Sequence, residues 1–495
     1  MSPNLSSEAK YGRYALWVIL AISAIRIIGL PFSGVGMHGD EAQYWSWAQD
    51  LDFGYFSKPP LIAWIIAATT GIFGDAEWAA RLGSPIFHAL TATLLYFAGK
   101  TYFGAREGFW AALIFLLMPA VFLSSGIIST DVPLLTLWAL ALLCLGKLRE
   151  QPHWRWALGL GFAIGLGLMA KYAMMFFLPA LALAIIFDKQ TRTALLHPRS
   201  IIVILVAGII FAPNIIWNAQ NDFQTVSHTA ANSNLGGPLF HPLELLEFWA
   251  SQIGIFGPLL LVIYVAALIA AFRKGASAEV RLLAFFVIVP ITVISVQALL
   301  SRANANWAVT SYVAACLLTA RFLMTRPKWR KTAIAALIIN SLLGGLVMAG
   351  GLFPAFADAM GQANAFKRTR GWVETRDAII PYYEAGWKGE AFDAIAFDHR
   401  LTFYDMTYYG LGETAPLKMW MYRSAPYNHA EATAPLSGGE SPILLINYFD
   451  HHADEFEEDF KQLERIGTIE IDLGGGKTRT LYVWAGADYT PTTTR

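Results

Sequence analysis

Seven charged side chains stand beside the ends of long apolar segments of the sequence. Two of them are the adjacent carboxylates of Gly39-Asp40-Glu41, shortly after the apolar run 16–30. A carboxylate can orient or deprotonate an attacking hydroxyl, while lysine and arginine bind phosphate as a point charge and as a bidentate fork. The set therefore suits transfer of a group away from a phosphate, and its members are Asp40, Glu41, Lys58, Arg81, Asp131, Lys171 and Arg302.

The composition indicates that membrane helices position these residues. Hydrophobic residues make up 56% of the 495 residues and charged residues only 15%, against about 25% charged in an ordinary soluble domain. Membrane lipids are therefore expected partners. The formal net charge of +0 gives no indication of a polyanionic partner, so nucleic acid binding is not expected.

Apolar runs of roughly 17 to 25 residues are long enough to cross a bilayer as helices. The sequence predicts about eleven such spans. They lie near residues 15–31, 78–102, 109–125, 132–148, 156–170, 172–187, 201–217, 248–272, 282–300, 307–324 and 332–352.

The distribution of lysine and arginine predicts the orientation of the spans. With the N-terminus inside, the predicted inner loops hold 18 of these cations, as short inner loops usually do. The outer ends before residue 353 hold only four, which are Lys58, Arg81, Lys171 and Arg302. Because these four break the bias, we expect them to have a role other than orientation.

The polar segments on the predicted outer side complete the expected architecture. In the first outer loop, residues 41–51 are predicted to form an interfacial helix with an aromatic face, and Pro59-Pro60 to begin a second one. The long loop 218–247 is expected to act as a lid. The overall prediction is a polytopic α-helical membrane protein with a transmembrane domain at 1–352 and a small α/β domain at 353–495.

Within the C-terminal domain, the patterns predict helices and strands of a small α/β unit. Residues 371–383 are predicted to form a helix and 453–466 an amphipathic helix. Residues 442–448 are predicted to form a buried strand and 479–485 a last strand.

Each charged residue also has a structural interpretation. Asp131 could place negative charge at a helix N-terminus, and Glu41 could be a solvated charge at a helix start. The two lysines could extend to the lipid boundary, and the two arginines could pair with carboxylates. Asp40 stands between Gly39 and a tryptophan-rich helix, and a functional role is favoured for it.

Several short motifs spread over most of the chain resemble a known family. The motifs are Gly39-Asp40-Glu41-Ala42-x-Tyr44-Trp45, Lys58-Pro59-Pro60-Leu61, Thr130-Asp131, Gly165-Leu166-Gly167-x-x-x-Lys171, and Asn306-Trp307 with Tyr312. With these motifs the sequence resembles the C-type membrane glycosyltransferases of the protein O-mannosyltransferase and lipid A aminoarabinose-transferase superfamily.

The resemblance implies roles for individual residues. It implies that Asp40 is the catalytic carboxylate, that Lys58 binds the carrier phosphate, and that Asp131 is the acid opening a later outer loop. Ser57 stands where the aminoarabinose enzymes have an acid, so no metal ligand is expected there. No cofactor is expected, although a divalent metal is left open. The first motif also resembles bacterial galacturonosyltransferases that decorate lipopolysaccharide core or lipid A.

Residues and resemblance together predict an inverting glycosyltransferase. It would move a sugar from a polyprenyl phosphate to a lipid-linked acceptor, favoured to be lipid A or lipopolysaccharide core, at the periplasmic face of a bacterial inner membrane. A single carboxylate opposite the leaving phosphate would give inversion. Asp40 would act on the acceptor, Asp131 and Glu41 would position sugar or cations, and the four outer cations would hold the phosphate.

Three alternatives stay open at this point. A protein hydroxyl could be the acceptor, which would make the chain a protein O-glycosyltransferase. A transporter or lipid flippase would place its charges near the bilayer midplane, often with inverted repeats, and no repeat is visible. A polysaccharide polymerase would share the topology but would not need Asp-Glu beside Lys-Pro-Pro.

Overall fold

The computed structural model describes residues 3–493, with side chains from residue 8, so the outermost residues of both predicted domains lie outside it. Up to residue 352 the chain is helical with short connections. The helices are Pro3–Gly29, Gly39–Ala48, Leu61–Phe73, Glu77–Arg81, Gly83–Tyr102, Ala105–Leu116, Pro119–Ser124, Asp131–Glu150, Trp154–Ala170, Phe177–Phe187, Lys189–Leu195, Ser200–Gln220, Gln224–Ala231, Pro242–Phe256, Pro258–Ala271, Ala278–Leu300, Ser311–Met324 and Arg330–Leu352.

The helices confirm a polytopic membrane protein. Within the described chain, six are long and apolar enough to cross a membrane, and two sharply bent helix pairs raise the number to at most eight. The predicted total of eleven stays a prediction. The six are Glu8–Phe32, Glu77–Tyr102, Asp131–Glu150, Ser200–Gln220, Ala278–Leu300 and Pro327–Leu352.

The Asp131–Glu150 helix is the most enclosed of these six spans. Its apolar side chains are buried on all sides, as expected for a helix in the centre of a bundle. Trp138 packs edge-on against Phe177 at 5.1 Å between ring centroids, and Phe177 packs on Phe286 at 4.6 Å. This packing fixes the position of the helix in the bundle, and with it the position of Asp131, its first residue.

The C-terminal domain contains a five-stranded mixed sheet. Its strands are β1 (Ala394–Phe397), β2 (Leu417–Met419), β3 (Ile443–Asn447), β4 (Phe460–Asp472) and β5 (Thr478–Tyr489). They are arranged in the order β2-β1-β3-β5-β4, with β1 parallel to β2 and β3, and β5 antiparallel to β3 and β4. The helices of this part are Pro354–Ala359, Ala363–Phe366, Trp372–Ala385, Arg400–Tyr408, His429–Thr433 and Ala453–Asp459.

Three of the four predicted elements of this domain are present, and the fourth ends earlier than predicted. The structure has a helix at Trp372–Ala385 and strands β3 and β5 close to where the sequence predicts them. The predicted helix 453–466 ends at Asp459, because the following residues open β4 and pair with β5 from Phe460 opposite Tyr489. Pairing with a long neighbouring strand outweighs the local helical pattern there.

The Gly39–Ala48 helix lies between the membrane helices and the C-terminal domain. A Cβ at Gly39 would approach Leu401 Cβ to 2.6 Å, so only glycine permits this close crossing with the Arg400–Tyr408 helix. On its aromatic face Trp47 stacks on Tyr55 at 4.6 Å between centroids. The predicted helix exists, and most of it is buried in protein because the domain covers it, while its placement at the membrane interface stays a prediction.

Candidate active site

A cavity of about 840 Å³ opens between the first loop and the membrane helices. This volume lies within the range of small-molecule sites. Lys58 and Lys171 line it, and they are the cations among its lining residues. Most of the remaining wall is apolar, and includes Phe176, Phe211 and Val293. The cavity therefore combines a long apolar surface with a pair of positive charges.

Two breaks in the helical chain place these lysines. Lys58 precedes Pro59-Pro60 and the Leu61–Phe73 helix, and its carbonyl accepts a hydrogen bond from the Tyr55 amide at 3.1 Å. Lys171 is extended, at the point where the Trp154–Ala170 helix ends and a short 3₁₀ segment begins. A Cβ at Gly165 would approach Ala207 to 2.9 Å, so the close packing of that helix on its neighbour depends on glycine.

Burial and like charge act together on Lys58. Burial, together with repulsion from Lys171, lowers the pKa of Lys58 to about 8, against the attraction of Asp40 and Asp131. A bound anion would oppose both lowering effects. The lysine pair therefore forms an anion site at the end of an apolar cavity.

Asp131 fixes one of the two lysines. Lys171 Nζ lies 2.6 Å from Asp131 Oδ1, and Asn306 Nδ2 donates to Asp131 Oδ2 at 2.6 Å. Asp131 begins its helix, where the peptide dipole favours negative charge. The position at the helix start agrees with the structural interpretation of Asp131, and the same carboxylate orients Lys171, while its functional role stays a prediction.

Asp40 lies in the first turn of the Gly39–Ala48 helix, which His38 caps by accepting from the Asp40 amide at 3.2 Å. Arg400 of the C-terminal domain donates to Asp40 Oδ1 at 3.1 Å and also to Gln43 Oε1. Burial raises the pKa of Asp40, but the positive charges of Arg400, His38 and Lys58 lower it more, so the net shift is downward. The carboxylate is 44% exposed and ionised at neutral pH.

Glu41 and Arg81 form a buried pair away from the cavity. Arg81 Nε and Nη2 donate to the two Glu41 carboxylate oxygens at 3.0 and 2.7 Å. Arg81 Nη1 donates to the Val35 carbonyl and Nη2 also donates to the Gly36 carbonyl, so each nitrogen of Arg81 is occupied. The Ile128 amide also donates to Glu41. The pair thus fixes the first loop to the next one, as the structural interpretation of Arg81 expects, and the substrate roles of both residues stay predictions.

Arg302 is also outside the cavity lining. Its side chain is exposed in the turn that follows the Ala278–Leu300 helix. Its backbone carbonyl accepts from Gln297, which does line the cavity, at 3.3 Å. Asp40 and Asp131 are not among the lining residues either, but both lie close enough to Lys58 to act on its charge, and Asp131 binds Lys171. The structure therefore makes these four charges neighbours and leaves Arg302 at the edge of the group.

The comparisons with known proteins agree with this geometry. The family model described as dolichyl-phosphate-mannose-protein mannosyltransferase matches residues 57–217, which include Lys58, Asp131 and Lys171. The lipid A galacturonosyltransferase RgtD of Rhizobium johnstonii is 34% identical over 402 residues, covering 80% of this chain and 82% of that protein. This chain belongs to the lipid A glycosyltransferase family. Its family is one of enzymes, so the transferase prediction is confirmed over the transporter and flippase alternatives.

Further relatives of this lipid A glycosyltransferase share its fold. The undecaprenyl phosphate-alpha-4-amino-4-deoxy-L-arabinose arabinosyl transferase of Erwinia tasmaniensis is 29% identical over 225 residues, covering 41% of this chain and 40% of that protein. The crystal structure of ArnT from Cupriavidus metallidurans, bound to undecaprenyl phosphate, superposes with a TM-score of 0.62 at 15% identity and covers 96% of this chain and 99% of that one.

The glycosyltransferase has site residues that its sequence does not reveal. Arg400 meets Asp40 across 360 residues, and no motif marks it. Gln43 lies within the first motif, yet nothing in the pattern pairs it with Arg400. Asn306 is part of the Asn306-Trp307 motif, which could have indicated its contact with Asp131.

The carboxylates of the glycosyltransferase do not fit a metal centre. Among the residues with described side chains, no three His, Cys, Asp or Glu side chains are grouped to hold a metal ion. Asp40 and Asp131 are each paired with a cation of the protein, and Ser57 contributes a hydroxyl to the cavity wall.

Proposed function

We propose that this glycosyltransferase transfers a sugar, with inversion, from a polyprenyl phosphate to lipid A or lipopolysaccharide core. The observation that carries the proposal is the pair Lys58 and Lys171 at the charged end of an otherwise apolar cavity. The lysines suit the phosphate, and the apolar wall suits the polyprenyl chain. The named activity of the Rhizobium relative and the lipid in the Cupriavidus structure support the donor and acceptor classes.

The proposal includes the topology. Eleven spans with the N-terminus in the cytoplasm would place the first loop, the cavity and the domain 353–495 in the periplasm. The shorter and broken apolar helices would supply the spans beyond the six long ones. The positive-inside distribution of lysine and arginine supports this orientation.

The proposed transfer forms one bond to the sugar and breaks another. An acceptor hydroxyl oxygen bonds to the sugar C1, the bond from C1 to the phosphate oxygen breaks, and the hydroxyl proton passes to Asp40. Lys58 and Lys171 stabilise the charge that develops on the leaving phosphate. Asp131 and Asn306 hold Lys171, and Arg400 holds Asp40. If the acceptor atom is a phosphate oxygen, no proton moves and Asp40 positions the acceptor.

A transfer assay in vesicles tests the proposal. Purified protein would be given radiolabelled galacturonosyl or 4-amino-4-deoxy-arabinosyl undecaprenyl phosphate together with lipid A. We expect label in lipid A, a strong loss of donor use in Lys58→Ala, and normal turnover in Lys274→Ala, which removes an exposed lysine distant in sequence. We also propose that EDTA leaves turnover unchanged. Equal donor affinity in Lys58→Ala and the native protein would refute the phosphate site.

A second candidate acceptor is a protein hydroxyl. The matching family model describes enzymes that transfer mannose to protein, which is the observation in its favour. The same vesicles supplied with serine- and threonine-rich peptides in place of lipid A would distinguish the two acceptors.

A further inference from the structure

Arg26 is a buried cation within the first membrane span, Glu8–Phe32. It is 5% exposed, its Nη2 donates to the Leu116 carbonyl at 2.6 Å, and its guanidinium lies 4.8 Å from the centre of the Phe122 ring. Its Nε and Nη1 are buried without a hydrogen-bond partner among the described atoms. Buried donors are nearly always satisfied, and an intramembrane charge marks a functional site by default, so these two nitrogens call for a partner.

Other buried arginines of the membrane part show what Arg26 lacks. Arg81 is paired with Glu41 at 2.7 Å, and Arg149 with Asp188 at 3.1 Å. Within the described side chains, Arg26 has no such ion pair with a carboxylate. The contact with the Leu116 carbonyl caps the end of the Ala105–Leu116 helix but uses only one nitrogen. A negative charge from outside the chain would complete the site.

A small cavity of about 80 Å³ adjoins this guanidinium. It is several times the roughly 10–15 Å³ that one water needs, so it has room for a small anion. Ser33 and Ser125 contribute hydroxyls to its wall, and Gly29 and Gly351 leave space beside Arg26. It shares no lining residue with the 840 Å³ cavity.

This cavity lies near the ends of two membrane spans. Arg26 lies six residues before Phe32, which ends the span, or about 9 Å along a helix at 1.5 Å per residue. Leu352, at the end of the last span, also lines the cavity. Ile25, Ile28 and Leu123 nearby are exposed apolar side chains suited to acyl chains.

We propose that this cavity binds the phosphodiester of an anionic membrane lipid through Arg26. A phosphate oxygen would accept a charge-assisted hydrogen bond from Nε or from Nη1, which lie on different edges of the guanidinium because Nη2 stands between them and donates to Leu116. The acyl chains would lie along the exposed apolar face of the first span. This site is separate from the transfer reaction and does not depend on it.

Lipid retention by the full-length protein in detergent tests the proposal. Native mass spectrometry with phosphatidylglycerol would measure bound lipid. We expect the native protein to retain it and Arg26→Gln to bind it about tenfold more weakly or worse, as for loss of a charge-assisted pair. Inorganic phosphate in an independent arm should not compete, because it lacks acyl chains.

A glycine pair controls for loss of folding. Gly351→Leu should fill the cavity while keeping Arg26, since the nearest atom to a new Cβ is Phe366 at 4.0 Å. Gly345→Leu on the same helix meets nothing within 4 Å and lies outside the cavity lining, so it should retain lipid normally. Equal retention in the native protein, Arg26→Gln and Gly351→Leu would mean that water alone fills the cavity, and competition by inorganic phosphate would mean a free anion site. Either result overturns the proposal.

Discussion

At the scale of single residues, Asp40 and Lys58 share one electrostatic environment and are shifted differently by it. Burial opposes charge on both. Nearby cations lower the pKa of Asp40 by more than burial raises it. For Lys58, burial and the second lysine, Lys171, both lower the pKa. The protein therefore keeps a charged carboxylate close to an anion site whose positive charges repel one another until an anion binds.

Asp40→Asn should lower kcat about 10²–10⁴-fold, the range attributed to a positioned base, because an amide cannot accept the acceptor proton. Donor binding should change little, since both lysines remain. Asp50→Asn, an exposed carboxylate just after the same helix, is the matched control and should keep full turnover. Full turnover by folded Asp40→Asn protein would exclude the catalytic role.

At the scale of elements, the Arg400–Tyr408 helix completes a site built in the membrane part. Arg400 is its first residue and bridges Asp40 and Gln43 on the Gly39–Ala48 helix. Helix-to-helix contact thus places a domain residue directly on the proposed catalytic carboxylate.

Arg400→Gln should move the acidic limb of the kcat profile to higher pH. The Arg400 charge lowers the pKa of Asp40, so its removal raises that pKa and Asp40 becomes protonated at a higher pH. Arg400→Lys should restore part of the shift. Arg376→Gln, which alters a partly exposed arginine of the same domain, should leave the profile unchanged. An unmoved acidic limb in Arg400→Gln, with Asp40→Asn inactive, would remove Arg400 from the mechanism but keep Asp40 in it.

The segment 218–247, which the sequence predicts to be a lid, packs against the large cavity. It contains the Gln224–Ala231 helix, and Thr225 donates to the Tyr55 carbonyl at 2.7 Å. Phe223, Val226 and Thr229 line the large cavity. The segment covers the cavity as a lid would, and its movement stays a prediction.

At the scale of the whole molecule, the domain and the first loop share one hydrophobic core. Trp47 and Ala42 of the loop belong to the same buried cluster as Tyr404 and Ile395 of the domain. The domain is therefore a structural part of the site, since its docking sets the distance between Arg400 and Asp40.

Gly39→Ala should disturb this docking. The added methyl would lie 2.6 Å from Leu401 Cβ and 3.1 Å from Asp405 Oδ2, so the domain helix must move away. A displacement of about 1 Å can cost about 10²-fold in rate, and we expect a loss of kcat of that order. Gly71→Ala, which meets nothing within 4 Å, is the control for the methyl itself. Faster hydrogen exchange in the Gly39–Ala48 helix should accompany the loss, and unchanged exchange with full turnover would contradict it.

Much of the fold was predictable because hydropathy acts locally. Apolar runs give helices wherever they are long enough, and Lys58 and Lys171 stand out because they break a charge bias that can be read along the chain. The extent of β4 was not predictable in the same way, since residues 460–466 depend on a partner strand and not on their own pattern.

The sequence by itself determined that this is a multi-pass helical membrane protein, and its charge pattern predicted that Asp40, Lys58, Asp131 and Lys171 lie on one side of the membrane. Only the tertiary structure decided which of the charges pair with one another and which line the cavity. It paired Glu41 with Arg81 across 40 residues and brought Arg400 to Asp40 across 360. The physical reason is that burial and pairing depend on which helices pack together. Two charges with the same local pattern can therefore end in a closed ion pair or beside a cavity.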